Sequence, residues 1–404
     1  MRGDAAAGRA VAYGALVVAA GLNVRAAITS LSAVLQDVVH TYGLTDAEAA
    51  VLSSLPVLLL AIGAPLAPVL ERRFGAERAV LVLAVVLTAS VALRPMGSVA
   101  LFAGTVTAGA AISGLSVIIP QVVRDEFGAR AGLWSGIFST SFGLSAALGA
   151  GLTVPLSHLL HGVGGALAVW AAPAALVVIV GAIVSARSGP TPVGMSARGG
   201  LRSTPLLWQI TGFFGCQALV FFAVAGWLPT LYADRGLDAA PAAQLLAGAS
   251  VAGLPASLLV SILVGRLPRQ HWLVAAAAVG TGVGLGAVAW GPIAWAPVAV
   301  AVLGFSQGAA FGLGISLIVV RAPESVSLAR FSAVVQGVGF LIAAAGPLLL
   351  GIMRGAGVPW AVAVTPLLVV VVAELVLGWL VGRRPPAIGA PHAEADDELA
   401  SAAR

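Results

Sequence analysis

Long apolar runs, separated by short polar or glycine-rich breaks, recur along the whole chain. Twelve of these runs are long enough to cross about 30 Å of hydrocarbon as α-helices. They are numbered α1 to α12 and lie near 11–37, 47–70, 77–96, 98–123, 130–157, 163–186, 205–232, 239–266, 270–290, 293–320, 327–353 and 359–382. Only helices and closed barrels satisfy the backbone in lipid, and barrel strands are much shorter. The pattern therefore predicts an all-α integral membrane protein with twelve transmembrane helices.

The composition supports this fold class. Hydrophobic residues make up 59% of the 404 positions and charged residues only 9%, whereas soluble domains carry about 25% charged residues. No soluble core could bury so much apolar surface, so the solvent must be lipid. Because the chain holds a single cysteine, Cys216, it has no disulfide framework and no thiolate metal cluster. We expect neither a cofactor nor a metal ion.

The arginines indicate how the helices are oriented. All 21 basic residues are arginines, and with the N terminus inside, 17 of them fall on that side and three on the other. This asymmetry predicts a multi-pass protein of the cytoplasmic (inner or plasma) membrane with both termini cytoplasmic. Four arginines in alternate loops on that side are assigned a role in topology and gating: Arg73, Arg124, Arg266 and Arg321. The three on the other side are Arg94, Arg235 and Arg354.

One long polar segment divides the chain. Residues 187–204 read "RSGPTPVGMSARGGLRST" and predict a cytoplasmic linker. It separates a first six-helix half (1–186) from a second (205–383), and we expect the remaining 384–404 to be a disordered cytoplasmic tail.

The two halves resemble each other. "GLTDAEAAVL" at 43–52 and "GLDAAPAAQL" at 236–245 share six of ten residues, and they precede equivalent helices. Parallel repeats of this kind are typical of transporters whose site lies between the halves, near the middle of the membrane. The sequence therefore predicts two pseudo-symmetric halves around a central site.

Several motifs carry a resemblance to a known family. They are "LNVRAAITS" in α1, "LPVLLLAIGAPLAPVLERRFGAERA" across α2, "WQITGFFGCQALVFFAVAGWLPTLYADRGL" in α7, "LGFSQGAAFGLGISLIVVRA" in α10 and "FSAVVQGVGFLIAAAGPLLLG" in α11. In these stretches the chain resembles the major facilitator superfamily, and within it the cyanate permease and 2-nitroimidazole transporter subfamily. The resemblance implies the major facilitator fold, with α1, α4, α7 and α10 lining a central cavity.

Two departures from the family pattern affect the expectations. The subfamily has a proline after the α1 arginine, where this chain has Ala26, so no proline-set break in α1 is predicted. The loop "ERRFGAER" places Glu71 one position early and Glu77 where a second basic residue is usual. The sequence therefore does not decide whether the gating salt bridges implied by the family motif form.

Polar side chains at mid-membrane depth concentrate on the helices expected around the cavity. A guanidinium there remains charged and binds small anions through paired, charge-assisted hydrogen bonds. Glutamines offer a donor pair and an acceptor, and the phenylalanines of α7 with Phe311 offer flat walls or gates. The predicted substrate-binding residues are Asn23, Arg25, Ser116, Ser139, Gln217, Trp227, Gln307 and Gln336.

Structural roles for these residues remain open as alternatives. Arg25 would then bond to backbone carbonyls, and Asn23, Gln217 and Gln336 would make hydrogen bonds between helices. Trp227 would be a residue of the interfacial aromatic belt.

The predicted function is secondary active transport of a small anion or planar polar organic solute by alternating access. A multidrug or antibiotic efflux carrier of the same fold is the alternative, and a polytopic membrane enzyme is less favoured because no catalytic cluster appears. The expected partners are the solute and the lipid bilayer, with no nucleic acid and a monomeric state. Coupling of transport to protons, uniport and exchange all remain open. For Glu374 in α12 three roles are open: its carboxylate reaches the membrane interface, it pairs with another helix, or it carries a proton.

Overall fold

The computed structural model describes residues 2–187, 203–323 and 326–383, which fold into two sets of six long helices. The first set comprises α1 (Arg2–Val24 and Ala26–Ala33), α2 (Asp46–Gly63 and Leu66–Phe74), α3 (Ala76–Leu93), α4 (Ser98–Phe127), α5 (Ala131–Leu159) and α6 (Val163–Ala168 and Ala171–Arg187). The second comprises α7 (Pro205–Asp234), α8 (Ala239–Arg266), α9 (His271–Trp290), α10 (Ala296–Arg321), α11 (Leu328–Gly355) and α12 (Trp360–Ala363 and Thr365–Gly382). Most of the predicted linker (187–204) and all of the predicted tail (384–404) lie outside the described residues.

Each predicted apolar run corresponds to one helix, so the twelve-helix fold class is confirmed. By length and apolar composition alone, ten segments of the described chain qualify as membrane spans. One of them, Ser98–Leu159, holds both α4 and α5, because only the short turn Gly128–Arg130 separates these helices. Helix α2, which is interrupted at Ala64 and Pro65, is not among these ten segments.

Local sequence signals set several helix starts. At the start of α2, the Thr45 hydroxyl accepts a hydrogen bond from the backbone N–H of Glu48, whose carboxylate accepts one from the Thr45 N–H. This reciprocal pair satisfies two donors that a helix start otherwise leaves unbonded. At the start of α7 the Thr204 hydroxyl accepts a single hydrogen bond, from the backbone N–H of Leu207. Gly75 connects α2 to α3 with a φ of 81°, a conformation that favours glycine.

The two halves use the same helix pairs. In the first half α1 packs on α5 and α6, α2 on α4, and α3 on α4 and α6. In the second half the equivalent pairs form: α7 with α11 and α12, α8 with α10, and α9 with α10 and α12. The internal repeat in the sequence therefore has a structural counterpart in the packing.

Small residues bring α8 and α10 into direct backbone contact. Gly304, Gly308 and Gly312 of α10 face α8, and a Cβ atom added at Gly308 would lie 2.2 Å from the carbonyl oxygen of Gly253. Spacing of small residues by four positions is a common device for close helix packing in lipid, where hydrophobic burial gives little driving force.

The halves contact each other at one end of the bundle, called here the closed end. There α5 meets α8 so tightly that a Cβ at Gly132 would lie 2.9 Å from the Cα of Gly265. Nearer the middle, the hydroxyls of Ser139 and Ser257 are 2.8 Å apart. Farther along the same two helices, no atom of the described residues lies within 4 Å of a Cβ added at Gly151 or Gly248. The halves therefore diverge toward the opposite end, called the open end.

A candidate solute site at the α1 break

Helix α1 is interrupted at Arg25, near the middle of the membrane. The hydroxyl of Ser145 on α5 accepts hydrogen bonds from the backbone N–H of Arg25, at 3.1 Å, and of Ala26, at 2.7 Å. Gly149, one turn farther along α5, leaves room for this approach, since a Cβ there would lie 2.7 Å from the carbonyl oxygen of Ala26. The break therefore forms without the proline that the subfamily pattern places after the arginine, because α5 supplies the acceptor.

The side chain of Arg25 lies among three aromatic rings drawn from both halves. Its Cζ atom is 4.6 Å from the ring centre of Phe142 on α5, 4.7 Å from Phe221 and 5.3 Å from Phe222 on α7. Each ring face attracts a cation at such distances. Within the described ranges, no carboxylate pairs with Arg25 and its side-chain N–H groups reach no protein acceptor. The partly exposed guanidinium therefore keeps its hydrogen-bonding capacity unused.

The rings around Arg25 belong to a larger group that crosses between the halves. Phe142 packs on Phe311 of α10 at 5.0 Å, and Phe222 packs on Phe340 of α11 at 6.3 Å. Phe142, Phe221, Phe222, Phe311 and Phe340 are called the phenyl cluster. Three of its rings face the guanidinium of Arg25 and give this charge a largely apolar surround.

Two of the predicted glutamines bond to each other beside this cluster. Gln217 Nε2 donates to Gln307 Oε1 at 3.2 Å, and Gln307 Nε2 donates to the hydroxyl of Thr281 on α9 at 3.3 Å. Gln217 lies one helical turn from Phe221, and Gln307 lies one turn from Phe311. Both glutamines are buried, so this chain of amides forms a polar layer within the second half, next to the phenyl cluster.

The Major Facilitator Superfamily profile matches residues 15–347, most of the chain. The chain belongs to this superfamily.

Individual relatives and solved structures support the same family assignment. The 2-nitroimidazole transporter of Escherichia coli (strain K12) is 31% identical over 92% of this chain and 94% of its own length. The cyanate transport protein CynX of the same organism is 25% identical over 84% of this chain and 89% of its own length. Among solved structures, the proton:xylose symporter XylE matches with a TM-score of 0.76 at 12% identity, covering 95% of this chain and 98% of that one. The resemblance inferred from the motifs is confirmed, and the chain is a membrane transporter, not an enzyme.

Three predicted residues of this superfamily member lie in contacts between the halves rather than around Arg25. Gln336 Nε2 on α11 donates to the carbonyl oxygen of Ser116 on α4 at 3.0 Å, while the Ser116 hydroxyl donates within its own helix. Ser139 pairs with Ser257 of α8. Gln336, Ser116 and Ser139 therefore close the cavity on the side of the closed end.

Two further predicted residues hold helices together within one half. Asn23 Nδ2 donates to the carbonyl oxygens of Ala19 and of Pro173 on α6, which turns the side chain away from Arg25. Trp227 Nε1 donates to the carbonyl oxygen of Pro347 on α11. Both side chains therefore make hydrogen bonds between helices. For Asn23 this is the structural role that the sequence left open as an alternative to solute binding.

The arginines predicted to gate the transporter differ in their contacts. Arg124 Nη1 reaches the carbonyl oxygen of Ala322 in the other half at 3.3 Å. Arg321 is buried and donates to the side chain of Gln270. Arg73 lies over the ring of Phe74, and Arg266 is exposed at the end of α8.

The main polar contact of the closed end was missed by sequence reasoning. Glu71 accepts a hydrogen bond from Gln121 at 2.7 Å and one from Ser327 of the other half at 3.1 Å. Gln121 in turn accepts from the backbone N–H of Ala329 at 2.8 Å. The acidic residue at the end of α2 was the one signal for this contact in the sequence. Its partners could not be identified from the sequence because they lie up to 256 positions away.

Two charged residues are more deeply buried than the sequence indicated. Arg94, between α3 and α4, is only 1% exposed, and its Nη1 donates to the carbonyl oxygen of Ala27 at 2.5 Å. Glu374 of α12 is fully buried, and neither carboxylate oxygen has a hydrogen-bond partner in the described part of the chain. Glu374 therefore neither snorkels to the interface nor pairs with a described neighbour.

Proposed function

We propose that this transporter carries a small anion or a planar polar solute, which binds at Arg25. The observation that supports this most is a guanidinium at a helix break, surrounded by rings and without a described acceptor. An arginine at mid-membrane depth costs roughly 2.5–3.5 kcal/mol on insertion scales. A ligand that supplies acceptor oxygens or nitrogens would offset that cost whenever it is bound.

The chemistry of the site favours flat ligands with delocalised negative charge. A guanidinium presents paired N–H groups in one plane, which suit two acceptor atoms held in one plane. The faces of Phe142, Phe221 and Phe222 would stack against such a ligand, and stacked aromatic pairs contribute about 0.5–1.5 kcal/mol beyond buried area. Gln217, linked to Gln307, offers a further amide one turn away.

The names of the relatives fit this chemistry. The first is named for 2-nitroimidazole, a flat aromatic ring with a nitro group that bears partial negative charge. The second is named for cyanate, a small anion with its charge spread over its atoms. A planar guanidinium surrounded by phenyl rings suits both kinds of molecule.

The sharing of the site between the two halves supports transport by alternating access. Arg25 and Phe142 come from the first half, and Phe221 and Phe222 from the second, so a bound solute would touch both halves at once. We infer that the closed end is cytoplasmic, since it carries the arginine-rich loops and the start of α1. The described conformation would then face outward, with the termini in the cytoplasm.

A thermal-shift measurement on the purified protein tests the proposal, because a ligand that binds only the folded state raises the melting temperature. The ligands are cyanate, 2-nitroimidazole and an apolar aromatic compound of similar size. Wild type is compared with Arg25→Gln, Arg25→Lys and the control Arg235→Gln. Arg235 bonds to the carbonyl oxygens of Val288 and Gly291, so its loss removes an arginine without touching the site.

We expect cyanate or 2-nitroimidazole to stabilise the wild type and Arg235→Gln, Arg25→Lys to respond less, and Arg25→Gln not to respond. If the apolar compound alone stabilises all four proteins equally, the Arg25 proposal is wrong and the efflux carrier is favoured.

A further inference from the structure

A second cationic cavity lies away from the central site, at the closed end of the second half. It has a volume of about 350 Å³ and is lined by Arg269, His271 and Arg383. Arg269 precedes α9 and Arg383 follows α12, so the cavity lies where these two helices meet. None of the lining residues that the structure describes is acidic.

Backbone contacts hold the cavity in shape. The N–H of Gln270 donates to the carbonyl oxygen of Gly382 at 2.9 Å, which joins the start of α9 to the end of α12. The helices are so close there that a Cβ at Gly382 would lie 2.5 Å from the backbone nitrogen of His271. His271 Nδ1 is buried without a described hydrogen-bond partner. The N–H groups in the first turn of α9 add partial positive charge.

Aromatic side chains place the cavity at the boundary of the membrane. His271 packs on Trp379 at 4.7 Å, and Trp379 packs on Trp272 at 5.1 Å. Trp272 is 69% exposed, on a helix that begins only one residue earlier. Exposed tryptophans at helix ends are typical of the interface between hydrocarbon and headgroups.

We propose that this cavity binds the phosphate headgroup of an anionic phospholipid. The two arginines and His271 provide donors for the phosphate, while the exposed face of Trp272 lies where the glycerol and upper acyl chain of a lipid would run. A free phosphate ion would use the cationic residues alone, so the adjoining apolar tryptophan surface favours a lipid. Arginines near such headgroups contribute about fivefold each to binding.

Native mass spectrometry of the purified full chain tests this site. The protein is incubated with equal amounts of phosphatidylglycerol and phosphatidylcholine, and bound lipid is counted for wild type and for Arg269→Gln/Arg383→Gln. The matched control is Arg266→Gln/Arg330→Gln, which removes the same charge from the same end but leaves the cavity intact.

We expect wild type and control to retain phosphatidylglycerol preferentially and the cavity variant to bind it about 30-fold more weakly. Equal losses in the two double variants would mean diffuse surface charge and overturn the proposal, as would undiminished binding by the cavity variant. A parallel thermal-shift series uses inorganic phosphate. If phosphate stabilises wild type as much as phosphatidylglycerol does, the site is one for free anions and the lipid proposal is wrong.

Discussion

Arg25 and Arg94 are two arginines of the first half that lie close together and differ in what surrounds them. Arg94 is 1% exposed and bonds to the carbonyl oxygen of Ala27, two residues after Arg25. Arg25 bonds to no described side chain or carbonyl through its guanidinium and is faced by three rings. The same side chain therefore has a structural role at one position and an unused binding capacity at the other.

The comparison separates two ways of compensating an expensive charge. At Arg94 the protein itself provides the hydrogen bond and the packing, so removing the side chain should damage the fold. At Arg25 the protein provides only ring faces, so removing the side chain should damage binding.

Arg94→Ala should have the largest effect and lower stability by about 2–5 kcal/mol, because it leaves a cavity where a large side chain was wholly buried. Thermal unfolding in detergent measures this. Arg94→Met, which keeps most of the volume, is the control and should recover a large part of the loss. A melting temperature of Arg94→Ala equal to that of the wild type would contradict the structural role.

Arg25→Gln should weaken solute binding by about 3 kcal/mol, roughly 100-fold, since two hydrogen bonds from a charged donor would be lost. The melting temperature without ligand should change little, because no protein hydrogen bond from the guanidinium is broken. Isothermal titration with the ligand found by the thermal-shift screen gives the Kd. An unchanged Kd would place the solute elsewhere.

Ser145→Ala should cost about 1–2 kcal/mol of stability, because two backbone N–H groups at the α1 break lose their acceptor. Ser141→Ala, one turn away on the same helix, serves as the matched control, since no hydrogen bond of its hydroxyl is seen in the described structure. Equal melting temperatures of the two variants would show that the break does not depend on Ser145.

Phe222→Leu should have the smallest effect and weaken solute binding about two- to fivefold, since one ring face beside Arg25 is lost at a partly exposed position. Phe213→Leu, on the same helix but buried away from Arg25, is the control. It should lower the melting temperature and leave the Kd unchanged. If Phe222→Leu lowers only the melting temperature and Phe213→Leu changes the Kd, the phenyl cluster serves helix packing and not solute binding.

Much of the fold could be predicted from the sequence because each transmembrane helix is a local property of its own residues. The apolar run, the glycine breaks and the arginine asymmetry are all read within a few tens of positions. The hydrogen bond between Gln217 and Gln307 joins α7 to α10, two helices that the family resemblance placed around one cavity. These inferences require only that a residue be assigned to a helix and to a side of the membrane. They do not require knowledge of which residue it contacts.

The rest depends on contacts between distant residues. Ser145 breaks α1 from 120 positions away, and Phe142 was not recognised because nothing in α5 alone indicates that its ring faces Arg25. Helical periodicity places a residue on one face, but the partner across that face depends on the rotation and tilt of another helix. The burial of Arg94 was not predicted for the same reason, since it depends on contacts with α1 and α4.

Helix α5 carries three of these contacts within two turns. Ser139 meets Ser257 of the other half, Phe142 faces Arg25, and Ser145 holds the break in α1. These positions span only about 9 Å of a continuous helix, at 1.5 Å per residue. A rotation of one half against the other that separates Ser139 from Ser257 also changes the distance from Arg25 to the rings of Phe221 and Phe222, which belong to the other half. The contacts of Phe142 and Ser145 with the α1 break lie within the first half and move with it, so one movement both opens the closed end and reshapes the solute site.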